Sequence, residues 1–166
     1  MASGDTILIF EPKNNDPPAA SFATFDTRNA HPVLDFDGSA DEEAVFPFIL
    51  PRHYAGGGIT AYIHFMMTSA TSGTVRLQAA FERGADGGDD LDADSFAAFQ
   101  SNGEAVPGTS GQVGIIAITF TDGAQIDSIV VGDGGRFKVR RDADGTSGTD
   151  DVTTDLELWR IELKET

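Results

Sequence analysis

Apolar and polar residues alternate with period two along most of this chain. In "ITAYIHFMM", residues 59–67, Ile59, Ala61, Ile63, Phe65 and Met67 fall on one face, with Thr60, Tyr62 and His64 on the other. In "TVRLQAAFE", residues 74–82, Val75, Leu77, Ala79 and Phe81 oppose Arg76, Gln78 and Glu82. Such alternation marks half-buried strands. The turn cluster "TSATSG" between the two stretches predicts that they pair as a β-hairpin.

Shorter extended segments are predicted at 6–10, 21–28, 32–37 and 44–50. Pro47 demotes the last to an edge or bulged strand. "RFKVRRD" puts Phe137 and Val139 inward and Arg136, Lys138 and Arg140 outward, with Arg141 as a fourth basic residue. In "VGIIAITF", residues 113–120, both faces are apolar, so the strand needs cover on each side. One set there is Ile116, Ile118 and Phe120 and the other is Val113, Ile115 and Ala117. In "DLELWRIELKE" the apolar phase flips between Leu158 and Trp159. Either a β-bulge re-aims the strand, or its two halves bury different faces. Trp159 itself is read as a core residue. Residues 92–101 are expected to be partly extended, and 122–131 to form a single turn. The sum is an all-β, single-domain antiparallel β-sandwich, jelly-roll-like, with eight or nine strands. "TILIF" has no obvious partner and is followed by the Pro- and Asn-rich "EPKNNDPPAA". Residues 1–20 are therefore expected to be an N-terminal arm and linker, with the sandwich spanning 21–166.

Composition supports an all-β domain. The 166 residues include 19 Gly, 7 Pro and 12 Phe, which suits many strands joined by tight turns. With 11 basic against 27 acidic residues the net charge is −16, which disfavours nucleic acid and anionic membranes as partners. The absence of cysteine excludes disulfides, thiol nucleophiles and cysteine metal sites. "MASGDTILIF" lacks the basic region and long apolar core of a signal peptide. No stretch nears the roughly 18 apolar residues of a membrane span.

Candidate chemistry is sparse. "GADGGDDLDAD" at 84–94 alternates aspartates as some calcium loops do, but without their closing glutamate. The same lack marks "DADGTSGTDD" at 142–151. Both are expected to be solvated turns without metal, with weak calcium binding as the alternative. His31, His53 and His64 show no metal-ligand spacing. There is no GxSxG elbow, and "GDGGRF" is followed by neither the lysine nor the helix of a phosphate loop. The chain is thus expected not to be an enzyme and to need no cofactor. "LPRHYAGGG" is either a contact loop anchored by Arg52 and Tyr54 or an ordinary connection. If the chain binds a sugar, only Tyr54, Tyr62 and Trp159 offer the aromatic faces for it.

The phrases "FATFDTRNAHPVLDFD", "LPRHYAGGGITAYIHFM", "TSATSGTVRLQAAFER", "DLDADSF", "ITFTDGAQIDSIVVGD", "FKVRRDADG" and "DLELWRIELKE" resemble a family of small tailed-phage structural proteins. These are jelly-roll virion components, among them trimeric capsid cement proteins. The resemblance runs from about residue 22 to the C-terminus and leaves the N-terminal stretch unmatched. It implies a homotrimer that bridges major capsid protein subunits on the virion surface, assembled in a bacterial host cytoplasm. Ile116, Ile118 and Phe120, together with Arg52, Tyr54, Arg136, Lys138 and Arg140, are then the expected interface residues. A tail or fibre domain, or a carbohydrate-binding β-sandwich, is the alternative.

Overall fold

A strand with one apolar face must bury that face against a second layer. The computed structural model, which describes residues 4–166, meets this demand with ten strands in two sheets joined by antiparallel ladders. The strands are β1 (Thr6–Phe10), β2 (Thr24–Arg28), β3 (His31–Phe36), β4 (Glu43–Ile49), β5 (Ile59–Met67), β6 (Thr74–Gly84), β7 (Gln100–Ala105), β8 (Gly114–Phe120), β9 (Gly134–Arg141) and β10 (Leu156–Glu165). The first sheet runs β2-β3-β10-β5-β8, with β1 paired to β10 beside that path. The second runs β4-β9-β6-β7. The sandwich expected from the alternation is therefore present.

Phenylalanines from both sheets fill the space between the layers. Phe10 of β1 stacks on Phe46 of β4 with ring centroids 5.2 Å apart, and Phe81 of β6 meets Phe120 of β8 and Phe137 of β9 at 4.9 Å each. Tilted and edge-to-face pairs of this kind add to the gain from burying the rings.

Four readings of the sequence change. The first is the arm. β1 pairs with β10 in its own sheet, Leu8 opposite Leu163 and Phe10 opposite Ile161, and Ile7 and Phe10 are buried. Residues 4–20 thus belong to the sandwich, while residues 1–3 of the expected arm lie outside the described residues. The linker covers the free edge of β4: Val45 N–H donates to Asn15 Oδ1 at 2.9 Å, and Asp16 N–H donates to the Val45 carbonyl at 2.7 Å. That cover protects an edge strand that also carries Pro47.

The second is the hairpin. β5 lies in the first sheet between β10 and β8, and β6 lies in the second between β9 and β7. Residues 68–73 cross between layers. Alternation reports which face is buried and is silent about which neighbour pairs.

The third is the strand count. Besides β1, the polar stretch "QSNGEA" forms β7 at the edge of the second sheet. Its backbone ladder to β6, with no apolar face, defines it.

The fourth concerns β10. Leu158 pairs with Phe65 and Arg160 with His64, so Trp159 is an extra residue in the ladder. This is the β-bulge alternative. Leu156, Leu158, Ile161 and Leu163 are all buried toward one core, and Trp159 is only half-buried, on the outer side.

Candidate functional site

The bulge decides where the chain's one tryptophan goes. Beyond Leu158, β10 leaves β3 and pairs with β1 instead, so the sheet opens there. Trp159 sits at that opening. Its ring lies edge-on to His31 of β3, 6.4 Å between centroids, and to His64 of β5, 6.3 Å. The Arg160 guanidinium stands 4.8 Å from the indole centroid. Burial pushes the His64 imidazole below its ordinary value, and Arg160 adds to this while Glu162 opposes it. A neutral imidazole offers one donor and one acceptor.

One wall of the site is the β2–β3 hairpin. Arg28 and His31 face each other across a two-residue turn in which Asn29 and Ala30 have φ of 46° and 64°. Two successive positive φ values are those of the primed hairpin turn, whose twist matches the strands. Arg28 braces this tip against the rest of the sheet. Its guanidinium donates to the Met67 carbonyl at 3.0 Å, to Ser110 Oγ at 3.1 Å, and to the Glu157 carboxylate. Gly111, at φ +80°, makes room for it: a Cβ there would lie 2.9 Å from the guanidinium.

Two grooves flank Trp159. One, of about 340 Å³, runs between Arg28, Asn29, Met66 and Val113. The other, of about 220 Å³, runs between Lys13, Pro32, Glu11 and Arg160. Both are lined by His31 and Trp159, so the two meet at the indole. An aromatic surface between rows of donors and acceptors suits a flat ligand with an apolar face and many hydroxyls.

The comparisons with solved structures bear on this geometry. The chain superposes on the CBM22-1 xylan-binding domain of Paenibacillus barcinonensis Xyn10C with a TM-score of 0.53 at 11% identity, covering 99% of this chain and 97% of that one. It superposes on the C-terminal CBM6 of LamC, a marine laminarinase from Zobellia galactanivorans, with a TM-score of 0.55 at 10% identity, covering 97% and 100%. The CBM6cm-2 carbohydrate-binding module of Cellvibrio mixtus lichenase 5A, solved with cellotriose, gives 0.53 at 11%, covering 98% and 99%. The fold is a carbohydrate-binding-module-like jelly roll. No protein-family model and no curated protein sequence matches the chain.

This overturns the resemblance to phage virion components. The full-coverage neighbours named here are carbohydrate-binding modules, with no phage capsid protein among them. The cement function, the homotrimer and the major capsid protein as partner fall with it. The phrases that carried the resemblance are strand-and-turn phrases, which many jelly rolls share for the same physical reasons.

The expected interface residues are not assembled into one surface. Ile116, Ile118 and Phe120 face the chain's own core, at 0%, 2% and 0% exposure; the outward apolar residues of this segment are Val113 and Ile115. Tyr54 is buried, and its hydroxyl donates to the Gly57 carbonyl. Burial pushes its phenol up to about 12, with Asp122 and Glu165 adding to the effect. Arg52 is exposed on the loop beside Gly132, where a Cβ would lie 2.9 Å from its guanidinium carbon. On the outer face of the second sheet Arg136 pairs with Glu82, Lys138 with Glu43 at 2.7 Å, and Arg140 with Gln78 at 2.6 Å. Phe96 and Phe99 lie over these cations. Arg141, the fourth basic residue of this stretch, is fully buried against Asp150 at 3.0 Å.

The acidic loops hold themselves together. In 84–94, Asp89 accepts from Arg83 Nε at 2.9 Å and from Ala85 N–H at 2.8 Å, and the Arg83 hydrogen bond holds its carboxyl below the usual range. In 142–151, Asp142 accepts from Ser147 N–H at 2.9 Å and from Thr146 Oγ1 at 3.0 Å. Asp142 and Asp144 also approach Asp41, with oxygens of all three within 4.8 Å of one another. Linear spacing could not show this grouping, because Asp41 belongs to a distant segment.

The sequence reading missed His31, His64 and Arg28 as parts of one site, having weighed the histidines only as metal ligands. The phase flip at Leu158 and Trp159 was the signal available for it.

Proposed function

We propose that this chain is a carbohydrate-binding module without catalysis of its own, and that it holds a polysaccharide across the outer face of the first sheet, against Trp159. The observation that carries this reading is the bulge, which turns the chain's one indole outward between two grooves that meet at it. The apolar face of a pyranose ring stacks on such a surface, while Asn29, His31 and Arg28 supply partners for ring hydroxyls. The fold agrees with this role. One structural neighbour is described as xylan-binding and another was solved with cellotriose, so xylan or a glucan is the first ligand to test. Affinity electrophoresis and calorimetry against both polymers decide the matter. Binding is expected, with Trp159→Ala weakening it by at least about tenfold, the size of one lost aromatic anchor. Undiminished binding by a folded Trp159→Ala protein overturns the site.

A further inference from the structure

In a chain of 27 acidic and 11 basic residues, charge is not spread evenly around Trp159. The two grooves are lined by three of the Lys and Arg residues, Lys13, Arg28 and Arg160, and by one carboxylate, Glu11. His31 belongs to both linings, and His64 meets the indole edge.

Lys13 and Arg160 join loose pairing to a place in a groove beside the indole. Several basic side chains elsewhere are closely neutralised, Arg83 by Asp89 at 2.9 Å, Lys138 by Glu43 at 2.7 Å and Arg141 by Asp150 at 3.0 Å. At the second groove Arg160 meets Glu11 only at 3.5 Å, and both side chains are about half exposed, 50% and 53%. A pair of that kind is worth little and opens readily. Lys13 is exposed and has no ion-pair partner among the described residues. Arg28, closely paired to Glu157, braces the hairpin and is not counted among the available charges.

We infer that the saccharide bound at Trp159 carries an acidic substituent, a carboxylate or a sulfate ester, placed in the groove between Lys13 and Arg160. The inference rests on the saccharide-binding reading above. A net charge of −16 repels polyanions in general, so only a ligand that stacks on the indole and brings its anion to these two residues gains from them. Arg160, lying over the ring and next to the groove, reaches both the stacked sugar and its substituent.

The test uses the full chain and two matched pairs of probes, read by calorimetry: glucuronoxylan against its carboxyl-reduced form, and a sulfated galactan against its desulfated form. In at least one pair the acidic member is expected to bind about tenfold tighter at low salt, the gain of one charge-assisted contact. The pair that shows it identifies the acid. Raising the salt is expected to shrink the difference, since the cations are exposed. Lys13→Gln with Arg160→Gln is expected to abolish it while the melting temperature persists. Lys13→Gln alone, at an exposed unpaired position, is expected to reduce it and to leave binding to neutral xylan unchanged. Equal binding within both pairs, or a preference that survives the double substitution, overturns the inference. If both pairs bind alike yet Trp159→Ala loses them all, the saccharide site stands and only its acid preference falls. If no saccharide binds, the underlying reading has failed.

Discussion

Trp159 and Arg160 are consecutive in the chain, yet both project from the same outer face of the first sheet, with the guanidinium 4.8 Å from the indole centroid. Regular pleating sends neighbours to opposite faces. The bulge between Leu158 and Arg160 breaks that rule, and the open edge it leaves becomes the place where the two grooves meet.

Removing the extra residue tests this relationship. Without Trp159, Leu158, Arg160 and Ile161 alternate inward, outward, inward, as a regular strand does. The deletion variant is therefore expected to keep its β-sheet circular dichroism and to melt within a few degrees of the wild type. Saccharide binding is expected to disappear. A deletion variant that fails to fold would show that the bulge is needed for the sandwich itself.

The hairpin tip carries strain that one substitution relieves. Ala30 holds φ of 64° in the Asn29–Ala30 turn. The left-handed conformation costs a residue with a Cβ about 1–2 kcal/mol. Glycine avoids that cost and loses about 0.4–1 kcal/mol through its freer unfolded chain. Ala30→Gly is expected to stabilise the protein by about 1 kcal/mol, a rise of roughly 2–4 °C in Tm. Differential scanning calorimetry gives the answer, and an unchanged or lower Tm contradicts it.

Asp35 links stability to pH. Burial pushes its carboxyl from 3.8 up to about 6, with Glu157, Asp26, Asp155 and Glu42 adding repulsion. Its Oδ1 is buried without a hydrogen-bond partner among the described residues. Between those values the folded protein holds a proton that the unfolded chain has released. The stability tied to this proton is whole below pH 3.8 and is lost as the pH rises through about 6. Asp35→Asn carries no charge to penalise. It is expected to raise Tm over the wild type at pH 7 and to gain much less at pH 4. Melts at the two pH values that show an equal difference would refute the shift.

The buried pair of Arg141 and Asp150 has a different consequence. Arg141 also donates to the Thr154 carbonyl at 2.7 Å, tying β9 to the segment that leads into β10. Arg141→Met leaves the Asp150 carboxylate buried without its cation, a loss of about 3–5 kcal/mol. Urea unfolding is expected to show that loss. Adding Asp150→Asn is expected to recover part of it, because an amide is cheaper to bury than a charge.

The sandwich was legible because alternation is a local property. Val75, Leu77, Ala79 and Phe81 declare a buried face whatever strand lies beside them, and the turn between 122 and 131 and the edge character of β4 follow from equally local chemistry. The break in phase at Leu158 announced a bulge as one of two options. Pairing was not legible. β5 and β6 read as a hairpin and lie in different sheets, and β1 read as an arm and adds to β10, because any strand of suitable length offers the same backbone donors and acceptors. The site was hidden for the same reason. Arg28, His31, His64 and Trp159 come from four strands, and their side chains converge only where β10 leaves β3 for β1. Sequence alone settled which face of the alternating strands β5, β6 and β9 is apolar and turned to the core. Tertiary structure decided which strands meet, and so which outward side chains share a groove.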